Sequence, residues 1–394
     1  MKIIKLKLQK RSCPVCCSKT FKKFYKNSNY SKIDTIGNIF SYEHILVRCA
    51  KCNLIYSNPW LGYQNTNQIY KNSAIGSAFE NSTKSNKHFE CFKYFFPEKK
   101  SIKKNKKILE IGTATGTLLK NISNFYSLKK SNIFGIEPSK KLFQNLKNNK
   151  YFNIQNKFIH QLSRQSKFDL IILDNVLEHI EQPVETLKIL KSLMNSNSKI
   201  YVSVPNLFKF KNNFRDPFGH SINYYDKNIK LLFDKCGFKI IKLKKHYQYL
   251  NFIAKINNTN KNFENNFQLD YKKKFKSVEK FIQNMLIYKS QTIQKFKKLE
   301  KKIKKDSSKI ILYGCSNFAL EFLLHTNISD NIIFITDSNN IYHQKKRFGK
   351  KVISPKKLQN INFDKIIITS KAFSSDIKNN LLSLNIPSKK IIQL

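Results

Sequence analysis

Ile108-Leu-Glu-Ile-Gly-Thr-Ala-Thr-Gly116 decides how this chain is read. A short apolar run carrying one carboxylate enters a turn of small residues, and the turn opens a helix. Such a turn lets a ligand approach the backbone closely at the carboxyl end of a parallel strand. The next apolar run, Asn132-Ile-Phe-Gly-Ile-Glu137, ends in an acid 21 residues beyond Gly116, where a carboxylate can grip two ribose hydroxyls. The spacing is not the dinucleotide GxGxxG. Glu110, ahead of the turn, suits a cationic amino group better than a pyrophosphate. The chain has only 10 glycines in 394 residues, and two stand four apart here, which argues against an ordinary tight turn.

Outward from this stretch the pattern alternates strand-length apolar runs with amphipathic helical stretches, the signature of an α/β sheet. Strands are expected at 107–111, 132–137, 168–173 and 198–204, with helices after Gly116 and around 185–194. A helix at 228–236 stops at Gly237, and two closing strands follow at 238–244 and 248–255. The stretch 271–305 spaces Phe275, Val278, Phe281, Ile282, Met285, Ile293, Phe296, Leu299 and Ile303 among lysines, as a helix packed on a neighbouring domain would. The α/β rhythm then restarts, with strands at 308–314, 331–337, 364–370 and 389–394 and helices at 317–324 and 376–382. The expected organisation is a module at 1–100, an α/β domain at 101–256, a lysine-rich helical connector at 257–306 and a smaller Rossmann-like α/β domain at 307–394.

Lysine plus arginine total 73 and aspartate plus glutamate 25, a net charge of +48. Only five of these cations are arginine, the residue suited to bidentate phosphate recognition, and the lysines are scattered along the whole chain. Together with the abundance of Lys, Asn, Ile, Phe and Tyr, this points to a compositional origin more than to a nucleic-acid footprint. No apolar run approaches the length of a membrane-spanning helix, and the first ten residues lack a continuous apolar signal region. A cytoplasmic protein without membrane insertion is the expectation.

Cys13-Pro-Val-Cys16 and Cys49-Ala-Lys-Cys52 present four thiols as two CxxC knuckles. Four such thiolates suit tetrahedral Zn²⁺ in a closed, structural site, with the chain between them forming a hairpin-like insert. Cys17 and His44 are alternative ligands, and reduced buried pairs or a redox pair are the competing readings. Cys91, Cys236 and Cys315 stand alone and read as small core residues.

Glu110-x-Gly112-x-Ala114-x-Gly116 resembles motif I of class I S-adenosylmethionine-dependent methyltransferases, Phe134-Gly-Ile-Glu137 their second motif, and Phe168-Asp-Leu-Ile-Ile-Leu-Asp-Asn-Val-Leu-Glu-His179 their fourth-strand motif. The resemblance implies S-adenosyl-L-methionine as cofactor. It implies that Glu110, Gly112, Thr113 and Gly116 hold its methionine part, Glu137 its ribose, and that Asn175 flanks it. Glu178 and His179 would be architectural or line the cofactor. Ala114 stands where the family has its middle glycine.

The order of the whole chain is similar to the sugar C-methyltransferases, which act on nucleotide-linked keto-deoxysugars. It runs from the cysteine ribbon through Ile55-Tyr-Ser-Asn-Pro59 and the methyltransferase core to a charged helix and a terminal βαβ domain beginning Ile311-Leu-Tyr-Gly314. That similarity implies a nucleotide-sugar or related glycan precursor as substrate and a terminal domain that helps close over it. Members carry a Glu-His pair near the end of the core. Here Asp216-Pro-Phe-Gly-His220-Ser-Ile-Asn-Tyr-Tyr225 occupies that place, with His220 matching and Gly219 replacing the glutamate.

A carbon nucleophile beside a ketone needs a base for the α-proton and donors for the enolate. His220 is the candidate base, and Tyr224 or Tyr225 the candidate donor; the competing reading makes His220 a core or capping residue. Gly314-Cys-Ser-Asn-Phe-Ala319 lacks GxGxxG, so a nicotinamide site is not expected despite Asp337 at the end of the following strand. Two other function classes compete: a zinc-containing RNA methyltransferase, and a scaffold subunit of glycan assembly in which Ala114 and Gly219 mark lost activity. The oligomeric state is not legible.

Overall fold

In the computed structural model, residues 3–33, 38–71, 82–148, 152–209, 220–246, 248–257, 272–306, 309–370 and 373–394 are described. The cysteine-bearing segment forms strands β1 (Ile3–Lys5), β2 (Phe21–Ile33), β3 (Ile39–Cys49) and β4 (Ile55–Ser57). β2 pairs with β3, so the insert between the cysteine pairs is a long hairpin. Helices α1 (Gly62–Lys71) and α2 (Ser82–Lys93) follow.

The stretch that decided the sequence reading forms β5 (Ile108–Ile111), buried along its whole length, and α3 (Thr117–Tyr126). Leu118, Leu119, Ile122 and Tyr126 give α3 its buried face at helical spacing. Next come β6 (Ile133–Ile136), α4 (Lys140–Asn148), β7 (Asn153–Gln155), β8 (Phe168–Asp174), α5 (Pro183–Ser192) and β9 (Met194–Pro205). The short β10 (Ile222–Asn223), α6 (Asp226–Lys235), β11 (Phe238–His246) and β12 (Tyr249–Ile256) complete this part.

These strands make a seven-stranded sheet of order β11-β12-β9-β8-β5-β6-β7. β5, β6, β7, β8 and β9 are parallel, and β12 runs antiparallel to both β9 and β11. The order reverses at β5, which lies between β6 and β8, so the carboxyl ends of these strands border the ligand crevice of an open α/β sheet. At the edge, β11 carries Lys239, Lys242, Lys244 and Lys245, charges that discourage pairing with a further strand.

The remaining elements are α7 (Lys272–Asp306), β13 (Ile310–Tyr313), α8 (Asn317–Leu324), β14 (Ile332–Thr336), β15 (Lys346–Arg347), β16 (Lys350–Ile353), β17 (Lys365–Ile368), α9 (Ser374–Ser383) and β18 (Ile391–Gln393). Their sheet has the order β15-β16-β14-β13-β17-β18, parallel from β16 through β18, and is the smaller Rossmann-like α/β domain.

Contacts group the chain into two units, residues 7–28 with 43–281 and residues 1–6 with 29–42 and 282–394. The 1–100 segment, expected as one module, is divided between them. Cys13, Cys49 and Cys52 share a core cluster with Ile171, Val202, Tyr224 and Leu232 of the large-sheet unit, whereas Ile39 packs with Phe296, Ile303 and Ile310 of the other. The 257–306 segment, expected as a connector, is divided as well, since α7 supplies core residues of the smaller unit from Ile282 onward. Among the described residues, no helix is long and apolar enough to cross a membrane.

Candidate functional site

The turn after β5 is built on positive backbone angles. Gly112, Ala114 and Gly116 have φ of 71°, 49° and 75°. The Gly112 and Thr113 N–H groups both donate to the Ile136 carbonyl, at 2.8 and 3.1 Å, which ties the turn to the end of β6. A side chain on Gly112 would come within 2.8 Å of Val176, and one on Gly135 within 2.3 Å of Thr113, so both backbones are close-packed where the turn crosses the sheet. Ala114 adopts the left-handed conformation that a glycine would take at no steric cost. Its φ is unfavourable by about 1 kcal/mol for an L side chain. Ala114→Gly is therefore expected to stabilise the protein by about 0.5–1 kcal/mol, the relief of strain being partly offset by unfolded-state entropy. A denaturation midpoint that falls instead would contradict this account of the turn.

Three carboxylates converge at the strand ends. Glu110 is buried, and its Oε2 has no hydrogen-bond partner among the described residues. Burial, and then the charges of Asp174 and Glu137, hold its carboxyl well above the usual range. An orphaned buried acid of this kind is the partner a cationic amino group would satisfy. Glu137 is also buried, and its oxygens accept from the Ala114 N–H at 2.8 Å and the Ser139 N–H at 2.8 Å. Burial pushes it up to about 7 against the lowering effect of those two bonds.

Asp174 pairs with His88 of α2 at 2.8 Å. Beside it Asn175, at φ 54°, is fixed by its N–H to the Ser203 carbonyl at 2.9 Å, and its side-chain amide lies 3.3 Å from His88 Nδ1. The predicted residues Glu110, Gly112, Thr113, Gly116, Glu137 and Asn175 thus sit on the turn and strand ends around β5, β6 and β8.

A second group forms just beyond β8. The chain turns through a single 3-10 turn, Leu177–His179, which carries Glu178 into the interior and leaves His179 half-buried. His220 meets His179 edge to face, with ring centroids 4.8 Å apart. Tyr70 of α1 places its hydroxyl 2.9 Å from His179 Nδ1. Glu178 Oε2 has no hydrogen-bond partner among the described residues, and burial pushes the carboxyl up to about 8.

His220 is held from its C-terminal side. The Ser221 carbonyl accepts the Ser57 N–H at 2.8 Å, and Ile222 and Asn223 of β10 pair with Tyr56 and Ile55 of β4. Arg11 braces the same region, donating to the Glu181 carbonyl at 2.7 Å, the Ser57 carbonyl at 3.0 Å and the Ser221 carbonyl at 3.4 Å. Burial lowers its guanidinium to about 10.

The two tyrosines expected beside His220 are both buried. The Tyr224 hydroxyl makes no hydrogen bond among the described residues, and burial followed by the Glu178 charge holds it well above the usual phenol range. The Tyr225 ring packs against Phe208 and Phe275, with centroids at 5.0 and 5.7 Å. Gly219, with Asp216, Pro217 and Phe218, lies outside the described residues. The sequence reading missed Tyr70 and His88. Neither carries a local signal: each meets its partner, His179 or Asp174, across roughly a hundred residues of chain.

The four cysteines come together as their spacing implied. Cys13 Sγ lies 3.6 Å from Cys52 Sγ, and Cys16 Sγ 3.4 Å from Cys49 Sγ. Ligands about 2.3 Å from a tetrahedral zinc would stand roughly 3.8 Å apart, so the set fits that ion. Each knuckle closes on a residue in the left-handed region, Cys17 at φ 62° and Asn53 at φ 56°, whose N–H donates to the first cysteine's carbonyl. Cys17 is exposed and 3.7 Å from Lys235 Nζ, and His44 is buried; neither belongs to the four-sulfur cluster.

Residues 88–243 match the family described as a methyltransferase domain, and residues 306–392 the one described as C2185-like, N-terminal. No curated protein matches the chain. Among solved structures, it is similar to an S-adenosylmethionine-dependent methyltransferase from Clostridium acetobutylicum ATCC 824, at 12% identity over 50% of this chain and 99% of that one, TM-score 0.36. A methyltransferase from Aquifex aeolicus gives 13% identity over 46% and 96%, TM-score 0.38. Magnesium protoporphyrin IX methyltransferase from Synechocystis PCC 6803 gives 13% over 46% and 84%, TM-score 0.35. With the matched family, the sheet order and the turn after β5, residues 88–243 are a class I S-adenosylmethionine-dependent methyltransferase domain, and the protein is a methyltransferase.

Proposed function

We propose that this methyltransferase alkylates a carbon next to a carbonyl in a nucleotide-activated keto-deoxysugar or a related glycan precursor. The observation that carries the reading is the His179–His220 pair, 4.8 Å between rings, assembled with Tyr70 directly beyond the strand end that borders the cofactor turn. Bound S-adenosylmethionine supplies an electrophilic methyl group. The chain's own residues must then make the acceptor carbon nucleophilic. A neutral His220 takes the α-proton onto a ring nitrogen, leaving the electron pair on the carbon and carbonyl oxygen, and an ordinary imidazole has the proton affinity for this near neutral pH. His179, anchored by Tyr70, positions the His220 ring.

Of the two tyrosines considered as donors, Tyr224 keeps a hydroxyl that a nearby oxygen could satisfy, and it stays neutral at any working pH. Tyr225 serves the aromatic packing with Phe208 and Phe275. The order of the whole chain, similar to the sugar C-methyltransferases, supports the substrate class. The test is exchange of solvent deuterium into the carbon beside the ketone of a nucleotide-linked keto-deoxysugar. Exchange that depends on His220 is the expected result, and exchange equal in His220→Ala would remove His220 from the chemistry.

For the cofactor we assign Glu110, Gly112, Thr113 and Gly116 to the methionine part, Glu137 to the ribose hydroxyls, and Asn175 to the flank. The pH dependence has a definite sign. Both acids are held above their ordinary range without ligand, Glu137 to about 7, and both must be ionised to receive a diol or a cation. Affinity for S-adenosylhomocysteine should fall at least tenfold per unit as the pH drops below about 7, each acid that must lose a proton on binding adding one power of ten. Calorimetry across this range should show the slope flatten in Glu137→Gln; an identical slope would assign the effect elsewhere.

Zinc is proposed at Cys13, Cys16, Cys49 and Cys52 as a closed structural centre. Three of the four sulfurs belong to residues in the core cluster that also holds Tyr224 and Ile222, so the ion would brace the segment carrying His220. Metal removal should cost several kcal/mol and lower Tm by roughly 10 °C or more. Differential scanning calorimetry with and without a strong chelator checks this, and an unchanged Tm after measured zinc loss would contradict it.

A further inference from the structure

We infer that Glu178, His179 and His220 form a second metal site, open on one side, for a divalent transition ion such as Zn²⁺ or Co²⁺. One ligand atom from each of the three lies within 4.8 Å of the other two. Ligands on a tetrahedral zinc at about 2.1 Å stand roughly 3.4 Å apart, so a modest side-chain rotation closes the set. Two imidazoles and a carboxylate are the donors that zinc, cobalt and nickel accept, and they do not suit magnesium or calcium, which prefer all-oxygen sets.

Two further observations point the same way. Glu178 is buried, and one of its oxygens makes no hydrogen bond among the described residues, an unfavourable arrangement that a cation would relieve. Tyr70 holds Nδ1 of His179 at 2.9 Å, the kind of outer-shell contact that orients a metal-bound imidazole. Three protein ligands leave a position for water or a substrate oxygen, in contrast to the closed four-cysteine set. The two sites therefore differ in donor type: sulfur alone in one, nitrogen and oxygen in the other.

The consequence for activity rests on the proposed base role of His220. A ring nitrogen that binds the ion cannot accept a proton, so metal occupancy and proton abstraction exclude each other. The site then acts as an inhibitory one, through which micromolar transition metal stops turnover.

The test uses the full-length protein with its cysteine site loaded with zinc, titrated with Co²⁺ and analysed for metal after desalting. The expected result is one further equivalent of cobalt, with visible d–d bands but without the near-ultraviolet band of cobalt thiolate. That equivalent should be lost in His179→Ala and in His220→Ala while zinc at the cysteines is retained. Tyr70→Phe, which keeps the ring, should weaken cobalt binding about 10- to 100-fold. No further equivalent in the wild-type protein, or one that survives both histidine substitutions, overturns the site. Activity is read separately: cobalt that binds at these residues yet leaves turnover unchanged upholds the metal site and overturns the base role of His220.

Discussion

His220→Ala lowers turnover by about 100- to 10,000-fold and leaves S-adenosylhomocysteine affinity unchanged, the range expected when a positioned general base is removed. The split follows from the geometry. His220 stands beside His179 beyond the end of β8, whereas the residues assigned to the cofactor lie on the turn after β5 and at the end of β6. The substitution is also tolerable structurally. The chain is secured from Ser221 onward by backbone bonds to Ser57 and by the Arg11 guanidinium, none of which involves the imidazole. His220→Gln separates size from proton affinity: it fills the same space and should be as impaired as alanine. Single-turnover assays against the pH profile supply the readout. Full activity in either variant would reduce His220 to a packing residue.

Glu137→Ala weakens S-adenosylhomocysteine binding by about 1.5–3 kcal/mol, roughly 10- to 150-fold in Kd, the worth of hydrogen bonds to a charged group. In the ligand-free protein the same carboxylate accepts the Ala114 and Ser139 N–H groups, so alanine also unties the turn. Glu137→Gln keeps an oxygen for one of those donors, turns an NH2 toward the other, and so separates most of the charge effect from the loss of the turn bonds. If ribose recognition needs the anion, the glutamine variant loses most of the affinity while losing less stability than the alanine variant. If Glu137 only braces the turn, the glutamine variant binds almost normally.

Where apolar runs are buried on both faces, the fold was legible. β8 has five of its seven residues buried, and its sequence leaves no other reading. The second closing strand, β12, and the helix–strand alternation of the terminal domain emerged for the same reason. α2 did not, because Ser-Thr-Lys-Ser-Asn-Lys has no apolar stripe, and the helix brings His88 to Asp174 through tertiary structure alone. β15 and β16 were missed because Lys346, Arg347, Lys350 and Lys351 lack strand patterning.

The turn after β5 was readable as a turn, since its glycine positions answer to local backbone geometry. The imidazole pair was only half readable: His220 stood out, but His179 was read as architectural or cofactor-lining. The contacts on which its proposed positioning role rests come from Tyr70 and His220, both distant in sequence. Arg11 was likewise silent, because its partners Ser57, Glu181 and Ser221 are spread over most of the large-sheet unit.

The most direct measurement is mass spectrometry of a nucleotide-linked keto-deoxysugar after incubation with the protein and S-adenosylmethionine. The product's position of substitution is then read by NMR. The account predicts a gain of one methyl group on the carbon beside the ketone, absent with His220→Ala and with Glu137→Ala at limiting cofactor. A methyl group found on oxygen or nitrogen, or transfer that persists in His220→Ala, would contradict carbon alkylation through a base at this site.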